Sequence, residues 1–210
     1  MKCITFVNLS KIKMTQSEIN IMAKAAQNDA RRVLKLSRIQ QVWEYAGCRV
    51  NLVGSLRMGL LASHRDIDLH VYSSGITEET TFLIAAKMSA LPGVTEIMSI
   101  NGLHTPEHCM AWHVKYRTDD DEIWKFDIIH IEEGSEYDGY FERMADRIVE
   151  VMTPEQRDTI LRLKFMTPDD EIIQGVEYYE AVIRYGISNL DELHAWIVDH
   201  RSQAPYYWIP

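Results

Sequence analysis

Apolar residues recur along this chain at two different spacings, and the switches between them outline its elements. From Thr15 to Tyr45 they fall at helical spacing. Thr15-Gln16-Ser17-Glu18 opens that stretch with a capping-box pattern and Gly47 closes it, which predicts one long helix. Cys48–Val53 reads as a strand, followed by a short helix over Leu56–Leu61 and a second strand over Asp66–Tyr72. A helix over Thr77–Leu91 is stopped by Pro92-Gly93, and Val94–Ile100 reads as a third strand. Met110–Arg117 and Ile123–Ile131 alternate with period two around a polar loop, Thr118-Asp119-Asp120-Asp121, and read as a hairpin. Alternation puts His113, Lys115 and Arg117 on one face of the first of these strands. On the second it groups Lys125, Asp127 and Ile129, with Trp124, Phe126, Ile128 and His130 opposite.

From Tyr137 the pattern is helical only. Thr153-Pro154-Glu155-Gln156 is a capping box with proline at the first helical position. Thr167-Pro168-Asp169-Asp170 and Ser188-Asn189-Leu190-Asp191 repeat the logic, predicting helices near 138–150, 154–166, 168–185 and 189–200. Mixed elements followed by helices alone imply an α/β (α+β) chain. The expected division is a mixed β-sheet domain with the long N-terminal helix over residues 1–136 and a helical C-terminal domain over 137–210.

Composition narrows the setting. At 46% hydrophobic and 25% charged, the 210 residues suit a soluble globular protein. No apolar run reaches the length of a membrane span, and the opening Met1–Val7 is too short an apolar run for a secretory signal. Three scattered cysteines, Cys3, Cys48 and Cys109, point to a reducing, cytoplasmic location. The net charge of −9 argues against broad contact with a nucleic-acid backbone. The balance is uneven, because residues 1–50 carry nine Lys/Arg against three Asp/Glu. Lys24, Arg31, Lys35 and Arg38 lie close to one helical stripe, which reads first as a solvated face.

The chemistry concentrates in two places. Leu52-Val53-Gly54-Ser55 is an apolar run ending in a small-residue turn; Asp66-Ile67-Asp68-Leu69 then sets two carboxylates one residue apart on a strand. They share a face while Ile67, Leu69 and Val71 point into a core. Two carboxylates so close repel, and a cation between them resolves the conflict; hard oxygen ligands suit Mg²⁺, which brings phosphates with it. A third carboxylate, Asp127, sits among Trp124, Phe126, Ile128 and Ile129, where an unpaired charge is costly. Gly-Ser, a gap of ten residues, Asp-x-Asp and a later strand Asp resemble the signature of the nucleotidyltransferase superfamily typified by DNA polymerase beta. The resemblance covers residues 47–131. It departs where many members have Ser before the first Asp, since Arg65 stands there.

The resemblance implies that Asp66, Asp68 and Asp127 are catalytic and hold Mg²⁺, two ions by expectation. It also implies that Gly54, Ser55 and Arg57 receive the triphosphate of an NTP and that Lys164, from the helical half, adds a cation. Tyr178 and Tyr179 could stack a base, although core packing explains them as well. His104, His108, Cys109 and His113 are ligand-like residue types whose spacing does not make a zinc site, and Ser63-His64 beside Asp66 does not make a hydrolytic triad. The expected function is Mg²⁺-dependent transfer of NMP from an NTP to a hydroxyl of a small molecule or protein, with release of pyrophosphate. A small-molecule acceptor is favoured over nucleic acid, and no membrane is involved. The alternatives are a non-catalytic nucleotide- or partner-binding domain, and a toxin–antitoxin type nucleotidyltransferase acting on RNA or protein.

Overall fold

The structure, a computed structural model, describes residues 14–201 and 208–210. Cys3 and the Met1–Val7 opening lie outside the described residues. Five strands form one mixed sheet in the order β1-β2-β5-β4-β3. They are β1 (Arg49–Leu52), β2 (Asp66–Ser73), β3 (Val94–Gly102), β4 (Cys109–Arg117) and β5 (Ile123–Glu132). The central pair, β2 and β5, is parallel, and the other three pairings are antiparallel. The Thr118–Asp121 segment closes the β4–β5 hairpin, with Asp121 in the left-handed region at φ 64°. Turn geometry thus accounts for its acidic residues.

One face of the sheet is the main core. Ile67, Leu69, Val71, Trp112, Val114, Phe126 and Ile128 pack there against α1 (Gln16–Ser37), α2 (Ile39–Tyr45) and α4 (Glu78–Ser89). The expected single helix to Tyr45 is two helices. Arg38 adopts φ 60°, ends α1 and starts α2. The break turns Ile39 and Trp43 inward, both fully buried. Burial of such side chains contributes roughly 2 kcal/mol each, more than one interrupted helical turn costs. Two buried polar groups are matched within this core: Trp112 Nε1 donates to Thr81 Oγ1 at 2.9 Å, and His130 Nδ1 lies 3.2 Å from the same hydroxyl.

The helices after residue 139 build a second core. α5 (Tyr140–Val151), α6 (Pro154–Met166), α7 (Gly175–Tyr185) and α8 (Leu190–His200) gather Met144, Ile148, Ile160, Leu163, Tyr178 and Trp196 around Met58 and Leu60. A third cluster, Ile19 and Ala23 of α1 with Ala62, Leu161 and Phe165, ties α1 to α6. Two helix expectations shift here. The turn expected over Leu56–Leu61 is α3, Gly54–Arg57, because Leu60 donates its N–H back to Ser55 and leaves the helix. The helix expected from Pro168 starts only at Gly175. Pro168 opens a turn with Glu171, and Gln174 with Glu177 forms the cap. Among the described residues no helix is long and apolar enough to cross a membrane.

Candidate active site

Strand register assembles the site. Asp68 of β2 stands directly beside Asp127 of β5, and Asp127 directly beside His113 of β4. Asp66 is one pleat away, beside Lys125. All point to the face opposite the main core, since alternate residues share a side. The turn after β1 closes on them: Val53 donates its N–H to the Asp68 carbonyl at 3.0 Å, and Gly54 follows at φ 65°. A Cβ on Gly54 would lie 1.9 Å from Asp68 Oδ2, so only glycine fits against that carboxylate.

Asp66 and Asp68 open onto a cleft of about 450 Å³ between the sheet and the helical half. Ser55, Asp66, Asp68, Lys164, Tyr178 and Tyr179 line it. Lys164 is buried, its Nζ donating to the Leu60 carbonyl at 3.1 Å and lying 5.7 Å from the Tyr179 ring centre. Tyr178 hydrogen bonds with Thr167, at 2.8 Å between their hydroxyl oxygens. Arg57 is not brought to the cleft. Its guanidinium forks onto Asp146, at 2.7 and 3.2 Å, and also donates to the Leu52 carbonyl. That exposed partner lies on α5.

The electrostatics follow from crowding. Burial pushes the Asp68 carboxyl up to about 7, helped by Asp66 and Asp127, while Lys164 and Lys125 pull it down. Burial lowers the Lys164 ammonium from its ordinary value, against the pull of Asp66 and Asp68. Burial, then Asp68 and Asp66, raises the Tyr179 phenol and keeps it neutral. Among the described residues, three polar atoms of the cleft lining are buried without a partner, Ser55 Oγ, Asp66 Oδ1 and His70 Nδ1. A buried polar atom left unpaired costs about 1–3 kcal/mol, so these are places for a ligand to satisfy. Among the described residues no three His, Cys, Asp or Glu side chains stand as a finished metal cage. Mg²⁺ seldom asks for one, because it binds through one or two carboxylates plus substrate phosphates and waters. The donor set therefore fits Mg²⁺ carried by a polyphosphate.

Sequence reasoning left out two residues that touch this chemistry. His113 Nδ1 hydrogen bonds to Asp127 Oδ1, and Lys125 Nζ sits 2.8 Å from Asp127 Oδ2. Their signal was in the hairpin: a short turn after Arg117 fixes Arg117 opposite Ile123, and counting back puts His113 opposite Asp127. The other ligand-like residues go separate ways, His104 to Glu78 and His108 to the Leu103 carbonyl. His64 lines the cleft beside Asp66.

No family model matches the sequence, and no curated protein matches it. Solved structures do match the fold. The non-canonical poly(A) polymerase complex GLD-2–GLD-3 aligns with TM-score 0.54 and 12% identity, over 80% of this chain and 58% of that one. The Cid1 poly(U) polymerase bound to MgGTP aligns with TM-score 0.54 and 13% identity, over 81% and 56%. A cytoplasmic RNA terminal U-transferase gives 0.52 and 13%, over 80% and 54%. The chain has the polymerase-beta-like nucleotidyltransferase fold, and it spans little more than half the length of these structures.

Proposed function

We propose that the protein is a nucleotidyltransferase that transfers NMP from an NTP to a hydroxyl group and releases pyrophosphate. One observation carries this reading. Asp66, Asp68 and Asp127 share one sheet face, and the first two line a cleft whose other wall holds a buried lysine. Ser55 and Lys164 bind phosphate oxygens, the first with an otherwise unpaired hydroxyl and the second with a desolvated ammonium. Gly54 leaves room for Asp68 and brings backbone close to the polyphosphate.

Asp66, Asp68 and Asp127 would hold Mg²⁺, by expectation as two ions, which when bound neutralises the polyphosphate and acidifies the attacking hydroxyl. Asp127 lies beside Asp68 in strand register, and its carboxylate accepts the proton of that hydroxyl. The new bond joins the acceptor oxygen to the α-phosphorus. The bond from that phosphorus to the bridging oxygen breaks, and pyrophosphate leaves with Lys164 offsetting its charge and Ser55 donating a hydrogen bond to it. Tyr178 and Tyr179 wall the side where the nucleoside lies.

A small hydroxyl compound is the acceptor that the net charge of −9 favours. A second reading, an RNA end, draws on the poly(A) and poly(U) polymerases that share the fold and on the exposed Lys24 and Lys35 of α1 with Arg38 at its end. Pyrophosphate release should be measured for the four NTPs with Mg²⁺ or EDTA, against a panel of hydroxyl compounds and a short RNA. Mg²⁺-dependent release that Asp68→Asn abolishes supports the reading; nucleotide binding without release under every condition overturns it. An RNA lengthened at its 3′ end selects the second acceptor.

A further inference from the structure

Asp127 is the one carboxylate of the trio that already has a cation. Lys125, two residues earlier on β5 and on the same face, holds Oδ2 at 2.8 Å, while His113 from β4 holds Oδ1. Among the described residues Asp66 and Asp68 have no such direct partner: Asp66 Oδ1 is buried and unpaired, and the buried ammonium of Lys164 gives its bond to the Leu60 carbonyl. The two contacts differ in kind. His113 and Asp127 are both about one quarter exposed, and the imidazole sits on a strand that the hairpin fixes in register. The Lys125 side chain is half exposed, on four rotatable bonds. The histidine is therefore an anchor, and the lysine a removable counter-charge.

We propose that His113 and Lys125 form a two-part clamp on Asp127. Lys125 occupies the carboxylate oxygen that a divalent cation needs, and His113 keeps the other oxygen turned so that the first can be handed over. The inference rests on the metal-dependent reading above. It implies an order: a cation meets Asp66 and Asp68 first, and Asp127 joins only when the Lys125 ammonium is displaced. His113 is then a positioning residue, acting through Asp127 and not on the substrate.

The test uses the full chain and Mn²⁺ alone, without nucleotide, read by the paramagnetic resonance of free Mn²⁺. Lys125→Gln removes the counter-charge and should bind Mn²⁺ about two- to fivefold more tightly, the range of a partly exposed ion pair. His113→Asn puts an amide nitrogen where Nδ1 stands and should match the wild type. His113→Gln moves that nitrogen one bond outward and should weaken Mn²⁺ binding about fivefold, the loss of one hydrogen bond. Thermal melts of all variants confirm folding. Unchanged affinity in Lys125→Gln overturns the counter-charge role, and His113→Asn as weak as His113→Gln overturns the anchor. Binding that Asp68→Asn abolishes but neither clamp residue alters keeps the metal reading and sinks only the clamp. No Mn²⁺ binding by any form overturns both.

Discussion

The carboxylate of Asp68 fills the space that a side chain at position 54 would need. The separation of 1.9 Å between its Oδ2 and a Cβ built on Gly54 is far inside van der Waals contact, and Gly54 has φ 65°. Sequence order hides this contact, since β1 and β2 are joined through a turn of α3 and a loop. The Gly-Ser turn is thus the back wall of the acidic site.

Gly54→Ala should accordingly disable the protein by moving Asp68. The methyl group meets a carboxylate attached to a buried strand, and the positive φ adds about 1 kcal/mol of strain. Turnover should fall by at least about a hundredfold, in line with the misplacement of a catalytic group. Steady-state pyrophosphate release and a thermal melt check this. Full activity in Gly54→Ala would mean that Asp68 need not stay where it is.

Asp68→Asn should separate chemistry from stability. At about pH 8, above the value of about 7 to which burial, Asp66 and Asp127 push this carboxyl, the wild type carries three like charges on one face without divalent metal. Removing one relieves repulsion and desolvation. In EDTA the variant should melt as high as the wild type or a few degrees higher, yet release no pyrophosphate when Mg²⁺ is supplied. Calorimetry in EDTA and with Mg²⁺ tests the pair of expectations. Adding Mg²⁺ should raise the wild-type melting point and leave the variant nearly unmoved.

These arguments mark what was legible in the sequence. Strand phase alone aligned Asp66 with Asp68, and the apolar neighbours of Asp127 marked it as a charge needing a partner. The sheet was readable because its strands alternate cleanly and its turns carry Pro, Gly and Asp. The break at Arg38 was not, because no glycine or proline announces it; the pull of Ile39 and Trp43 into the core decides it. Arg57 was misdirected for a similar reason. Its place beside Gly54-Ser55 suggested the acidic site, but Asp146, 89 residues on, captures it. Long-range pairing of that kind leaves no local trace.

Lys164→Met should raise the NTP requirement with a smaller effect on the maximal rate. Methionine keeps the unbranched volume in a site that is only 8% exposed, so packing is retained where alanine would leave a cavity. The lost ammonium is the cation that faces Asp66 and Asp68 from the helical half. KM for NTP should rise about tenfold or more. Without divalent metal the variant should also lose stability, because two carboxylates lose their nearest buried counter-charge. An unchanged KM would leave phosphate binding to Ser55 and backbone groups alone.

The last expectation concerns acid. His130 lies on the core face of β5, 1% exposed, with Nδ1 by Thr81 and Nε2 2.8 Å from Ser73 Oγ. Burial pushes it down to about 4 from the ordinary imidazole value of about 6.5, only partly opposed by Glu132. The folded state therefore binds fewer protons than the unfolded chain between these two values, and stability rises with pH there. The contribution is full above about pH 6.5, where both states hold neutral imidazole, and is lost as pH falls toward about 4. For a fully buried group the span is on the order of 3 kcal/mol. His70 shifts in the same direction and Asp68 in the opposite one, so a bare melting curve mixes them. The informative quantity is the difference between wild type and His130→Gln, which retains a donor and an acceptor but cannot titrate. Denaturant unfolding at about pH 7.5 should favour the wild type, and the gap should shrink or reverse near pH 4.5. A gap that stays constant with pH would show that His130 is not the titrating group in the core.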